Sequence, residues 1–242
     1  MLINTEKCKG CGICVPYCPV GAIKLEDKKA YIEIEECLEC GTCGRNNIVK
    51  CPQNAIGETP DLYQRPRSIR KYFSDPMAYH VETRVPGRGT EEVKTNDVTG
   101  RVKKGEVGIG IEVGRPCLGT SYTEVEKITK ALADIGITYE ADNPLTSLME
   151  DPITGTFIED AKKSKVVSAI IEFTVPVSKM AKTLEVIKEV SKEINTVFSL
   201  DLITRLDSDG GIVVEEELRS LGFEFRPNAK INLGLGSPLR EE

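Results

Sequence analysis

Two stretches decide the N-terminal fold: CKGCGICVPYCPVGAI (8–23) and CLECGTCGRNNIVKCPQNAI (37–56). The first places Cys8, Cys11, Cys14 and Cys18 at x2, x2 and x3 spacing, with Pro19 after the last cysteine. The second places Cys37, Cys40, Cys43 and Cys51 at x2, x2 and x7, followed by Pro52. CPVGAI (18–23) answers CPQNAI (51–56), so the segment reads as a duplicated unit of two similar halves. Eight of the nine cysteines fall within the first 51 residues. No basic stretch and apolar core of an export signal precedes them, so a reducing compartment is expected, where clustered thiols serve as metal ligands.

The spacing has a mechanical reason. A tight loop with a thiol at every third residue wraps a polynuclear centre while its backbone N–H groups point at the sulfurs. Gly10, Gly12, Gly41 and Gly44 suit that wrapping. Tetrahedral zinc is the alternative for paired CxxC units. Three cysteines in a row at x2 spacing, and the Cys-Pro repeat, have no zinc rationale.

At these residues the chain resembles the bacterial-type two-cluster [4Fe–4S] ferredoxins, over about residues 1–57. The resemblance implies two [4Fe–4S] clusters, one held by Cys8, Cys11, Cys14 and Cys51, the other by Cys37, Cys40, Cys43 and Cys18. It implies electron transport with redox partner proteins, and suits an anaerobic, cytoplasmic setting. The sequence departs from the pattern at 44–50, seven residues where the first half has three. That insertion is expected to loop outward without removing a ligand. Between the halves, AIKLED (22–27) and AYIEIE (30–35) flank Lys28 and Lys29 and predict a β-hairpin. Ile13, Val15, Ile23, Ile34 and Ile56 are expected to coat the clusters.

Residues 58–105 show no clean periodicity and read as an extended linker. Arg88, Lys94, Asn96 and Thr99 form a candidate anion grip there, and His80, the chain's one histidine, reads as a surface or packing residue. Residues 61–110 carry ten basic and seven acidic side chains, a net of +3, whereas residues 1–56 carry seven of each. The chain as a whole is at −6, which argues against nucleic-acid binding. No apolar run is long enough for a membrane span.

From residue 106 to 242 the pattern is regular. EVGIGIEV (106–113) predicts a strand, followed by a helix from a Ser121/Glu124 capping box with a Val125, Ile128, Leu132 and Ile135 stripe. ITYEA (137–141) predicts a second strand. VVSAIIEFTV (166–175), a helix through Met180, Leu184, Ile187, Val190 and Ile194, and TVFSLDLITRL (196–206) repeat the order. A short helix near 213–221 and a strand near FEFRP (223–227) close it. The expected fold is α+β: a ferredoxin module followed by a βαβ–βαβ plait, whose element order is similar to ACT-type ligand-binding or dimerising domains. The G-x-G-x3-G of Gly108, Gly110 and Gly114 is not a dinucleotide fingerprint, because its first two glycines lie within the strand. Asp207-x-Asp209-Gly reads as a turn rather than a calcium loop.

Cys117, in a strand-to-helix loop beside Arg115, is the candidate catalytic thiol, its alternative being a small buried hydrophobe. The same loop, with Arg115 and the N–H groups of Gly119 to Ser121, is a candidate site for a small anionic ligand. The leading expectation is an iron–sulfur electron carrier with a docking, dimerising (homo-oligomeric) or ligand-binding domain. Two alternatives accompany it: a reductive-enzyme subunit with substrate near Cys117, and a redox-linked metabolite sensor.

Overall fold

Alternating side chains, helix stripes and tight turns shape the chain as it runs. The computed structural model describes residues 1–45, 48–87, 97, 100–115 and 119–225. Strand β1 (Leu2–Ile3) pairs antiparallel with β4 (Ile56–Gly57), bringing the two ends of the cysteine-rich segment together. Between them, β2 (Ile23–Glu26) and β3 (Lys29–Ile32) form the predicted hairpin. Asp27 and Lys28 turn it with φ of 48° and 59°, the left-handed pair whose twist matches the flanking strands. Ile3, Cys8, Cys14, Ile23, Ala30, Val49 and Ala55 make a small core of their own.

The segment expected as a linker is folded in its first part, which corrects that expectation. Helix α1 (Arg67–Ser74) follows a 3₁₀ turn at Pro60–Tyr63. Ile69 and Phe73, one helical turn apart, insert into the second core. His80 is buried as a packing residue: its ring meets Phe73 edge-on, and its Nε2 lies 3.2 Å from the Gly87 carbonyl. The anion grip expected at Arg88, Lys94, Asn96 and Thr99 lies outside the described residues.

The rest is a mixed α/β layer. Its elements run β5 (Glu106–Val113), β6 (Thr120–Ser121), α2 (Tyr122–Ala133), β7 (Met149–Asp151), β8 (Thr156–Phe157), α3 (Glu159–Lys162), β9 (Lys165–Val166), β10 (Ala169–Pro176), α4 (Val177–Val190), β11 (Phe198–Thr204) and α5 (Glu215–Ser220). Strand β5 is central, antiparallel to β10 on one edge and to β11 on the other. Val107, Ile109, Ile111 and Val113 of β5, and Ile171, Phe173 and Val175 of β10, share a face and are buried in one core with α2 and α4. Val125, Ile128 and Leu132 of α2 and Met180, Leu184, Ile187 and Val190 of α4 supply the facing stripes. No described helix is long and apolar enough to cross a membrane.

Three local expectations differ from the fold. The strand at 137–141 shrinks to a single bridge, Tyr139 to Phe173 on the outer edge of β10, where the Glu140 N–H donates to the Glu172 carbonyl at 2.8 Å. The capping box does not close. Ser121 stands at the start of α2 without a side-chain cap bond, while Glu124 accepts from the Asn195 N–H at 2.7 Å and pairs with Lys127. The predicted strand near 223–227 is absent over 223–225, and the remainder lies outside the described residues. Asp207 does turn the chain, accepting from the N–H groups of Asp209 at 2.9 Å and Gly211 at 2.6 Å.

Leu132 is fully buried between helix and sheet. Leu132→Ala is expected to cost about 2–5 kcal/mol of unfolding free energy, because the rigid strand floor prevents collapse into the space left. Denaturant unfolding checks this, and a loss well under 1 kcal/mol would show a loosely packed layer.

Candidate metal centre

The cysteine loops are held by the hairpin, the β1–β4 pair and α1, and each loop turns N–H groups onto its sulfurs. The Gly10 and Ala30 N–H groups both donate to Cys8 Sγ at 3.4 Å. Ala22 donates to Cys18 Sγ at 3.1 Å, Glu39 to Cys37 Sγ at 3.4 Å and Ala55 to Cys51 Sγ at 3.4 Å. The internal repeat is visible here: Cys18 and Cys51 each accept from the alanine four residues on, in CPVGA and CPQNA. Bonds from Ala30 and Gly10, helped by nearby Lys29, hold the Cys8 thiol below its ordinary range.

The thiols gather in two groups. Burial pushes Cys14 up, and the Cys8, Cys11 and Cys51 thiolates beside it push the same way. Burial drives Cys43 up to about 12, with Cys37, Cys40 and Cys18 adding to it. Burial and then Glu39 raise Cys37. Cys51 lines one cavity with Cys8, Cys11 and Cys14. Thiolates crowded in this way repel one another until positive charge lies between them, and a cluster core supplies it.

A cavity of about 360 Å³, part of it open to solvent, is lined by Cys8, Cys11, Cys14 and Cys51, with Ile3, Ala30 and Ile56. Among the described residues no three His, Cys, Asp or Glu side chains converge as they would on one ion. Four cysteines lining one cavity are the thiolate donor set of a 4Fe–4S cluster, and the residues fit that group. Of the expected apolar coat, Ile23 is buried and Ile56 and Val15 pack beside it, but Ile13 and Ile34 are exposed.

The second group sits in a shell of charge that sequence reasoning missed. Arg67 pairs with Glu39 at 2.5 Å and with Asp61 at 2.7 Å. Glu39 also binds the Met1 ammonium, and Lys71 pairs with Asp75 at 2.8 Å. Arg45 pairs with Asp75 and donates to the Cys40 carbonyl at 3.3 Å. Cys117 lies outside the described residues, as does the 116–118 part of the loop proposed for an anion. Arg115 and Gly119 are described, and Gly119 packs beside Leu38.

The fold and these loops define an iron–sulfur protein, and residues 1–24 match the 4Fe-4S binding domain family. Through this N-terminal part the chain belongs to the ferredoxin family. It is 38% identical over 60 residues to an uncharacterized ferredoxin of Methanocaldococcus jannaschii, covering 23% of this chain and 73% of that one. It is 41% identical over 53 residues to a ferredoxin-like protein in the vnf region of Azotobacter vinelandii, covering 22% of this chain and 82% of that one. It is 43% identical over 49 residues to one subunit of an ion-translocating oxidoreductase complex of Methanosarcina acetivorans. That last match spans 20% of this chain and 17% of the longer relative. No solved structure matches the chain. The N-terminal part thus binds a 4Fe–4S cluster and serves ferredoxin-type electron transport.

Proposed function

We propose that the chain is an electron carrier holding two [4Fe–4S] clusters, with Cys8, Cys11, Cys14 and Cys51 on one and Cys37, Cys40, Cys43 and Cys18 on the other. The observation that supports this reading is the cavity lined together by Cys8, Cys11, Cys14 and Cys51, which sets the last cysteine of the second motif beside the first triplet. An exchanged fourth ligand serves two clusters and has no use in a one-cluster loop. The N–H groups on Cys8, Cys18, Cys37 and Cys51 would stabilise the thiolates and set how readily each cluster accepts an electron.

The first group has the more open surroundings: Cys11 is exposed and the cavity beside it reaches solvent. It is the position at which a redox partner would deliver or take an electron. Residues 106–225 form, in this reading, a ferredoxin-like plait. The sheet order β11, β5, β10 and the Tyr139 bridge, all antiparallel, favours it. Its role would be to select the partner to which the second cluster passes the electron.

Iron and acid-labile sulfide on anaerobically purified protein test the proposal, with EPR after dithionite reduction. The expected result is about eight of each per chain, with spectra of two interacting reduced cubanes. About four irons, or zinc in their place, would overturn it.

A further inference from the structure

Helix α1 joins the loop of the second thiol group to the α/β layer, and one of its side chains bonds to both. Arg70 is buried. Its Nη1 donates to the carbonyls of Ile34 at 2.5 Å and Cys37 at 3.3 Å, in the cysteine loop. Its Nη2 donates to the carbonyl of Lys163, in the turn before β9, at 3.2 Å. Around it, Ser74 Oγ accepts from the Val167 N–H at 3.0 Å, and Lys165 Nζ lies 2.8 Å from both carboxylate oxygens of Glu36.

The charge on Arg70 differs from that of its neighbours. Arg67, Lys71 and Arg45 each meet a buried carboxylate, Glu39 or Asp75. The acceptors of Arg70 are neutral carbonyls, and its ion pair is with Glu35 at 3.6 Å, whose side chain is 85% exposed and screened by solvent. Arg70 Nε is buried with no hydrogen-bond partner among the described residues. A cationic group held in a low-dielectric junction favours the reduced, more negative state of a cluster beside it.

Resting on the two-cluster reading, we infer that Arg70 is a positioning residue for the second cluster. It fixes the 34–40 loop against the α/β layer and holds that cluster's reduction potential above that of the first. The two clusters are then inequivalent. An electron accepted from an external reductant at the open first cluster comes to rest on the second, at the junction. The net change is one electron lost by the reductant and one gained by the second cluster.

Redox titration of the full chain, followed by EPR, tests this on wild type, Arg70→Met and Arg70→Lys. Cys40→Ser identifies which wave belongs to the second cluster. The inference expects two waves in the wild type, with the second cluster the higher. In Arg70→Met that wave moves to lower potential while the first stays, and Arg70→Lys restores most of the shift because it keeps the charge. A merely structural role would displace the wave equally in both variants and overturns the inference, as does a single coincident wave in wild type with eight irons bound. Iron content near four removes the two-cluster reading, and this inference with it.

Discussion

Stripping iron from the protein with a ferrous chelator under anaerobic, reducing conditions is expected to unfold residues 1–57 and leave the sheet of β5, β10 and β11 standing. The asymmetry follows from what each part buries. The N-terminal core is Ile3, Ile23, Ala30, Val49 and Ala55 with two of the cysteines themselves, and its strands are two to four residues long. Even scaffolds of 70–80 residues rarely draw more than about 3–5 kcal/mol from one apolar core, and this segment is shorter. Without a cluster its buried thiols lose the partner that justifies their burial, and burial keeps Cys43 in its protonated form. The core of the α/β layer runs instead through two full helices and three long strands.

Hydrogen exchange with peptide resolution reads the outcome. Protection should vanish from β1 to β4 and persist from β5 onward. Because Ile69 and Phe73 belong to the second core, α1 should stay protected, so the border falls between Gly57 and Arg67. Retained protection across 1–57 after complete loss of iron would show that apolar contacts alone hold the module.

That helix α1 belongs to the second core was not legible in the sequence, and the reason is physical. Cysteine spacing and the CPVGAI/CPQNAI repeat are local signals, as are the stripes of α2 and α4, and each reads directly from the chain. Helix α1 has only Ile69 and Phe73 as core residues, too short a stripe to register. Half-buried Arg67 and buried Arg70 and Lys71 are stabilised by Glu39, the Ile34 carbonyl and Asp75, of which Glu39 lies 28 positions from Arg67 and Ile34 lies 36 from Arg70. Long-range compensation of this kind leaves no local pattern. The capping box failed in the same way: Glu124 had the right spacing from Ser121, but the Asn195 N–H, 71 residues on, claimed its carboxylate. Tyr139 lay within ITYEA (137–141), expected as a strand, yet its hydroxyl donates to the Thr129 carbonyl on α2. That anchors the segment to a helix and reduces the strand to a bridge.

Gly10→Ala is expected to empty the first thiol group while sparing the second. Gly10 has φ of +69°, and a Cβ built there would stand 2.1 Å from the Lys28 carbonyl oxygen. Both features count, but they differ in size. The left-handed angle alone costs an alanine about 1–2 kcal/mol, which a folded loop tolerates. The clash is with backbone, in the tight Asp27–Lys28 turn of the β2–β3 hairpin, and cannot be relieved by rotating a side chain. Either the turn or the loop must move by more than an ångström. The Gly10 and Ala30 N–H groups that converge on Cys8 Sγ sit on opposite sides of that contact, so any such movement breaks at least one of them. Gly21→Ala separates the two causes. Its φ is +64°, but nothing lies within 4 Å of the added Cβ. The expected result is that Gly21→Ala keeps its full iron content with a small loss of stability. With two clusters as proposed, Gly10→Ala should lose roughly half its iron, with the EPR signal of the second group intact. If both variants bind iron alike, backbone angle and not the Lys28 contact governs the loop; if Gly10→Ala loses all its iron, the two halves assemble only together.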